Sequence, residues 1–154
     1  MDAGVRDTPR DAAIDAATVV CIPIDTADAP DGHHNAGQSC LSVGCHVVGA
    51  TGAGANPFLL GGTLYDDMGN ALTGATIIVS PSSGSPIKVL SGGGAAPGNF
   101  YALNVGGFQI GGATASASGC PNIAAMQAAL QAAGGGNCNN CHRPGGLTTP
   151  IQLP

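Results

Sequence analysis

Short stretches of apolar and β-branched residues, each bounded by turn-forming residues, follow one another from Pro57 to about residue 105. The stretches are LLGGTLYD, ALTGATIIVS, IKVLS and FYALNV, and the segments DMGN, PSSGSP and GGGAAPGN separate them. Short strands between clusters of Gly, Pro, Asn and Asp are typical of two packed antiparallel sheets. We therefore predict a mainly β fold, with a small antiparallel sandwich domain over residues 57–118.

Large side chains are scarce in this chain. Its 154 residues include 26 Gly and 11 Pro, aromatic residues make up 3 %, and Trp is absent. This length suits one domain with one small core, but few side chains are bulky enough to fill it. A large buried cofactor would supply the missing volume.

The residues before the sandwich separate into an arm and a segment rich in Cys and His. Residues 1–32 are rich in Asp, Ala and Pro and have no sustained periodicity, which predicts an extended arm with one short strand at Val19–Ile24. Residues 33–56 contain HHNAGQSCLSVGCH, in which Cys and His interrupt any hydrophobic pattern. Chemistry, more than packing, determines that second segment.

The last segment, residues 119–154, begins with CPNIAAMQAALQAAGGG. Its apolar residues recur at helical spacing, a Pro stands near the start and glycines follow the last apolar residue, so the pattern predicts one short helix within 120–136. Met126 lies on the apolar face of that helix, and we assign it to the core rather than to a cofactor.

Charge is concentrated at the beginning of the chain. The first 31 residues contain seven Asp and two Arg, whereas the rest contain two Asp, one Lys and one Arg and have no net charge. The absence of a basic stripe argues against nucleic-acid binding, and a body without net charge favours self-association. No apolar run is long enough for a transmembrane segment.

The most specific chemical motif is Cys138-Asn139-Asn140-Cys141-His142, with the spacing C-x-x-C-H. In this pattern two thiols add to the vinyl groups of a porphyrin while the adjacent imidazole binds the iron. The motif predicts covalent haem attachment. The alternative is a zinc or redox pair of cysteines beside an unrelated His.

A longer form of the motif, CLSVGCH, occupies residues 40–46. Four residues separate Cys40 from Cys45, His46 follows the second thiol directly, and Gly44 gives the loop freedom to bulge. We interpret these residues as a second haem site with variant spacing. A disulfide loop beside a surface His is the alternative.

The four histidines match the needs of two haems. His46 and His142 would be the proximal ligands, and His33 and His34 are candidate distal ligands of the two irons. Neighbouring residues of an extended backbone point to opposite sides, so this pair could serve two different haems. The alternatives are a solvated loop pair, or ligation by one of the two alone.

Two cysteines remain outside the motifs, Cys21 in the arm and Cys120 after the sandwich. A disulfide between them suits an oxidising compartment and would attach the arm to the domain. Two buried free thiols are the alternative.

Residues 33–46 and 138–146 resemble the short modules of extracytoplasmic multihaem c-type cytochromes. The resemblance implies haem attachment through Cys40, Cys45, Cys138 and Cys141, with His46 and His142 as axial ligands. The C-x4-C-H spacing departs from the usual gap of two residues.

GGTLYDDMGNALTGATIIVS and GNFYALNV, within about residues 59–110, are similar to carboxypeptidase regulatory-like domains of the immunoglobulin or transthyretin type. The shared pattern is a strand, a D-x-x-G-N turn and a G-A-x-I-x-V strand. This resemblance implies a sandwich without catalytic residues that serves as a scaffold.

Together these observations predict a dihaem c-type cytochrome that carries electrons and is not an enzyme, with two haem c groups per chain. Its expected partners are other cytochromes or further copies of itself, up to a filament. We expect a periplasmic, outer-surface or extracellular location and a removed export signal, because haem c is attached outside the cytoplasm and Met1-Asp2 does not open a signal peptide.

Two other functions remain open. A haem peroxidase would require an open distal position, so that neither His33 nor His34 is a ligand. A disulfide- or metal-stabilised binding or structural module would be colourless when purified.

Overall fold

A computed structural model describes residues 21–31, 35–48, 56–104, 106–132 and 136–154, and these form two β-sheets and one short helix. The elements are β1 (Phe58–Asp66), β2 (Thr76–Ser80), β3 (Ile87–Leu90), β4 (Asn99–Leu103), β5 (Thr114–Gly119), β6 (Asn122–Ala125), α1 (Cys138–Cys141) and β7 (Ile151–Leu153). The prediction of a mainly β fold with one short helix is confirmed.

The strand order is β4-β1-β7 in one sheet and β3-β2-β5-β6 in the other. Every pair is antiparallel except β1 and β7, so the predicted antiparallel sandwich contains one parallel pair. The parallel pair arises because the chain returns to the free edge of β1 only after a long connection through β5, β6 and α1.

The core lies between the two sheets. Leu60 and Leu64 of β1 pack in one cluster with Phe100 of β4 and with Ile77 and Val79 of β2. Burying a side chain of this size contributes about 1.5–3 kcal/mol. Small residues complete the cluster, as the shortage of large side chains requires.

Strand β1 is buried on both faces. Leu60 and Leu64 face the core, whereas Thr63 and Tyr65, which alternate with them, are buried on the opposite face. A Cβ atom at Gly37 would lie 2.9 Å from the Tyr65 hydroxyl, so the residues before the first Cys-His motif cover this face. Strand β1 thus supports the segment that leads into the first Cys-His motif.

The predicted helix over 120–136 is wrong. Asn122–Ala125 forms strand β6, and the α-helix of the described residues is α1, inside the Cys-His motif. The turn at Cys120 and Pro121 sends the chain back along β5, so the backbone groups of this Ala-rich segment bond to that strand and not to one another. Met126 is partly buried against the core, as expected.

The described part of the arm is attached to the sandwich. Cys21 and Cys120 form the expected disulfide. The Asp25 amide donates to the Gly74 carbonyl at 2.8 Å, and the Gly93 amide donates to the Pro30 carbonyl at 2.8 Å. Residues 21–24 form no strand, contrary to the prediction for Val19–Ile24, whose first two residues lie outside the described part.

No helix within the described ranges is both long and apolar enough to cross a membrane.

Candidate functional site

The second Cys-His motif is a single helical turn. Helix α1 begins at Cys138 and ends at Cys141, so the two thiols lie three residues apart on neighbouring positions of one face. The His142 amide donates to the Cys138 carbonyl at 2.8 Å, which closes the turn. This backbone hydrogen bond fixes the position of His142 relative to Cys138.

The first motif closes in the same way despite its two additional residues. The His46 amide donates to the Cys40 carbonyl at 3.1 Å. The extra length protrudes into solvent, since Val43 is 98 % exposed and Gly44 has φ of +83°. Because the bulge takes up the extra length, the His amide bonds to the carbonyl of the first Cys in both motifs.

Both imidazole rings are held through Nδ1. His46 Nδ1 lies 3.1 Å from the Asn56 carbonyl oxygen, and His142 Nδ1 lies 2.9 Å from the carbonyl oxygen of Thr149. A carbonyl oxygen only accepts, so it selects the tautomer that carries the proton on Nδ1. In that tautomer the lone pair is on Nε2, which is the arrangement of metal sites where a carbonyl orients the ligand.

An aromatic stack fixes the ring plane of His46. The ring centroids of His46 and Phe58 are 3.7 Å apart with an interplanar angle of 5°, and Phe58 stacks on Tyr101 at 4.5 Å. Two of the five aromatic residues of the chain therefore lie beneath this one imidazole. The Thr148 hydroxyl oxygen lies 2.9 Å from the same Nδ1 of His142 and, with the proton on Nδ1, is a second acceptor for it.

The two motifs meet at strand β1. A Cβ atom at Gly61 would lie 3.0 Å from the Cys40 Cβ, and one at Gly62 would lie 2.7 Å from the Cys138 Cβ. The absence of side chains on these two glycines allows each Cys to contact the strand. Residues about one hundred positions apart in sequence are thereby brought together.

Burial keeps the first thiol of each motif neutral. It raises the pKa of Cys138 to about 12, with the nearby Cys40 as the next cause. It also raises the pKa of Cys40 to about 11, with Cys45 as the next cause. The Cys138 residue is only partly buried, but it packs against the core. In the folded chain without a bound group, both thiols therefore stay protonated at neutral pH.

The predicted site residues fall into two groups. The structure places the first cysteine of each motif, Cys40 and Cys138, against neighbouring glycines of β1, and His46 and His142 are each held within their own motif. His33 and His34 lie outside the described residues. Within the described ranges there is no group of three or more His, Cys, Asp or Glu that could hold a metal ion.

The polar residues that join the motifs have no signal in the sequence. Asn139 is fully buried, and its amide contacts Thr63 of β1 and the Gln38 carbonyl just before the first motif. The intervening positions of C-x-x-C-H have no required residue type, and Asn140, which is exposed, looks the same in sequence. Only the folded structure shows that Asn139 is buried and Asn140 exposed.

The protein is thus a β-sandwich in which both Cys-His motifs contact strand β1. The chain matches no family model, and neither the curated proteins nor the solved structures contain a match.

Proposed function

We propose that the protein is an extracytoplasmic dihaem c-type cytochrome that carries electrons. The observation that carries the proposal is the repeated geometry of the two motifs. In each, the His amide bonds to the carbonyl of the first Cys, and Nδ1 faces a backbone carbonyl. One motif with these two bonds could arise by chance, but here both motifs have them. A disulfide loop or a surface His would require neither bond.

The residues present fit haem c. Cys40 and Cys45 would form the thioethers of one haem, Cys138 and Cys141 those of the other, and Nε2 of His46 and His142 would bind the irons. A thioether has no ionisable proton, so capping the buried sulfurs removes the electrostatic cost of ionising them. Bound haem supplies one-electron transfer between ferrous and ferric iron.

The residues around the two imidazoles would adjust the properties of the haems without reacting themselves. The carbonyls of Asn56 and Thr149 hold the imidazoles in one tautomer and raise their basicity as ligands. Phe58 excludes water from one face of His46. His33 and His34 remain the proposed distal ligands, and ligation by both would leave no open position for peroxidase chemistry.

The proposed location and partners follow from this chemistry. Haem c is attached outside the cytoplasm, and the disulfide between Cys21 and Cys120 is compatible with an oxidising compartment. Partners would be other cytochromes or further copies of this chain, including a filament, because the body has little charge to keep copies apart.

The test is to produce the protein with c-type maturation machinery and to record its visible spectrum, a pyridine haemochrome assay and its intact mass. We expect two covalent haems per chain and low-spin ferric and ferrous spectra. A colourless protein without haem would overturn the proposal and favour a disulfide-linked structural module. A single haem, attached at Cys138 and Cys141, would restrict it to the second motif.

A further inference from the structure

A fully buried amide in the second motif makes hydrogen bonds outside that motif. Asn139 is 0 % exposed, and its Oδ1 accepts from the Thr63 amide at 2.9 Å. Its Nδ2 donates to the Gln38 carbonyl at 2.8 Å and to the Thr63 hydroxyl at 2.9 Å. Both amide protons are used, and neither bond is to another residue of its own motif.

The same network reaches the first motif by further routes. The Gly37 amide donates to the Thr63 hydroxyl at 2.8 Å, and that hydroxyl donates to Asn99 Oδ1 at 2.6 Å. Asn137 Nδ2 donates to the Ser39 hydroxyl at 2.7 Å. Residues 37–39, directly before Cys40, are thus attached to β1 and to the second motif by side-chain hydrogen bonds.

We propose that Asn139 makes the two Cys-His motifs one unit, so that the geometry and haem occupancy of the first motif depend on a residue inside the second. This inference rests on the proposed function as far as haem occupancy is concerned. The physical reason is that without it the Thr63 amide would be left unpaired in a buried site, and the Gln38 carbonyl would lose its partner in a partly buried one. Water can reach the buried Thr63 amide only if the segment before Cys40 moves away from β1.

Three variants separate this role from a general loss of stability. Asn139→Ala removes every bond of the amide. Asn139→Asp keeps an oxygen to accept from the Thr63 amide but, when ionised, cannot donate to the Gln38 carbonyl. Thr63→Val keeps the side-chain shape and removes the shared hydroxyl without touching either motif. The matched control is Asn140→Ala, which changes the neighbouring, exposed asparagine of the same motif.

The first measurement is the haem occupancy of each motif, read by mass spectrometry of the peptides that carry it. We expect Asn139→Asp to lower occupancy at Cys40 and Cys45 while Cys138 and Cys141 stay loaded, and Thr63→Val to act in the same direction. Asn140→Ala should leave both motifs as in the wild type. Equal losses at both motifs in Asn139→Asp, or no loss at either, would overturn the inference.

The second measurement uses haem-free protein and records the alkylation rate of the Cys40 thiol under native conditions. Breaking buried hydrogen bonds should raise this rate about tenfold in Asn139→Ala, because the segment opens more often, and leave it nearly unchanged in Asn140→Ala. An unchanged rate in Asn139→Ala would overturn the inference. If wild-type protein acquires no haem, the proposed function fails, but these rates still decide whether Asn139 links the motifs.

Discussion

His46 and His142 each have a backbone carbonyl beside Nδ1, of Asn56 and of Thr149 respectively, but differ in what surrounds their rings. His46 lies on an aromatic stack, whereas His142 contacts the Thr148 hydroxyl. Apolar surroundings and fewer hydrogen bonds alter the electronic properties of a ligated iron. Under the proposed function, we therefore expect the two haems to have different reduction potentials rather than equal ones.

Replacing Phe58 by Leu should release the His46 ring from the stack. In haem-free protein we expect the ring-proton NMR signals of His46 to shift downfield as the ring current of Phe58 is lost, and those of His142 to stay in place. The lost packing should lower the free energy of unfolding by about 1 kcal/mol. Tyr101→Phe keeps an aromatic ring and is the control. Unchanged His46 signals in Phe58→Leu would contradict the stacked geometry.

The buried thiols make the stability of haem-free protein depend on alkaline pH. The pKa values of Cys40 and Cys138 are raised from 9.0 to about 11 and about 12, so the folded chain retains protons that the unfolded chain releases. Their contribution is complete below pH 9 and is lost as the pH rises through the folded values, up to about 12. Urea unfolding across this range should show falling stability, and Cys138→Ala should flatten the dependence. A pH-independent wild type would contradict the burial of these thiols.

At the scale of elements, the two motifs show how different lengths of chain produce one local geometry. The bond between the His amide and the first Cys carbonyl is an ordinary helical bond in the second motif. In the first motif it spans two more residues, which the exposed Val43 and the positive φ of Gly44 accommodate. The bond between the His amide and the first Cys carbonyl therefore forms at both spacings of the cysteines.

Deleting Val43 and Gly44 should convert the first motif to C-x-x-C-H without unfolding the protein. Since Val43 has almost no contacts to lose, we expect the free energy of unfolding to change by less than about 1 kcal/mol. Occupancy of the first motif by haem should be retained or increased, as measured by peptide mass. Loss of haem from this motif alone would show that the bulge has a role in attachment.

At the scale of the whole molecule, the disulfide joins the beginning of the described chain to the turn between β5 and β6. Its two cysteines are 99 residues apart in sequence, so it closes a loop that contains most of the sandwich. Cross-linking over such a distance stabilises mainly by restricting the unfolded chain. The sandwich and the described part of the arm should therefore unfold together.

Replacing Cys21 and Cys120 by Ser should lower the free energy of unfolding by about 2–4 kcal/mol, as measured by denaturant titration. The hydrogen bonds from Asp25 to Gly74 and from Gly93 to Pro30 do not involve the disulfide, so the fold itself should persist. Hydrogen exchange at these amides is the check on the arm. A loss close to zero would mean that the arm separates from the sandwich independently.

Strands β1 to β4 follow from the sequence by itself, because turn residues act over short distances along the chain. The haem chemistry of the Cys-His motifs stays a prediction from their spacing. The disulfide was also predicted, since the motifs left only Cys21 and Cys120 to pair. Tertiary structure alone decided that Asn122–Ala125 is a strand, that β7 joins β1 in parallel and that Asn139 is buried while Asn140 is exposed. Each of these depends on pairing between distant segments, and such pairing overrides local propensity where it satisfies buried backbone and amide groups.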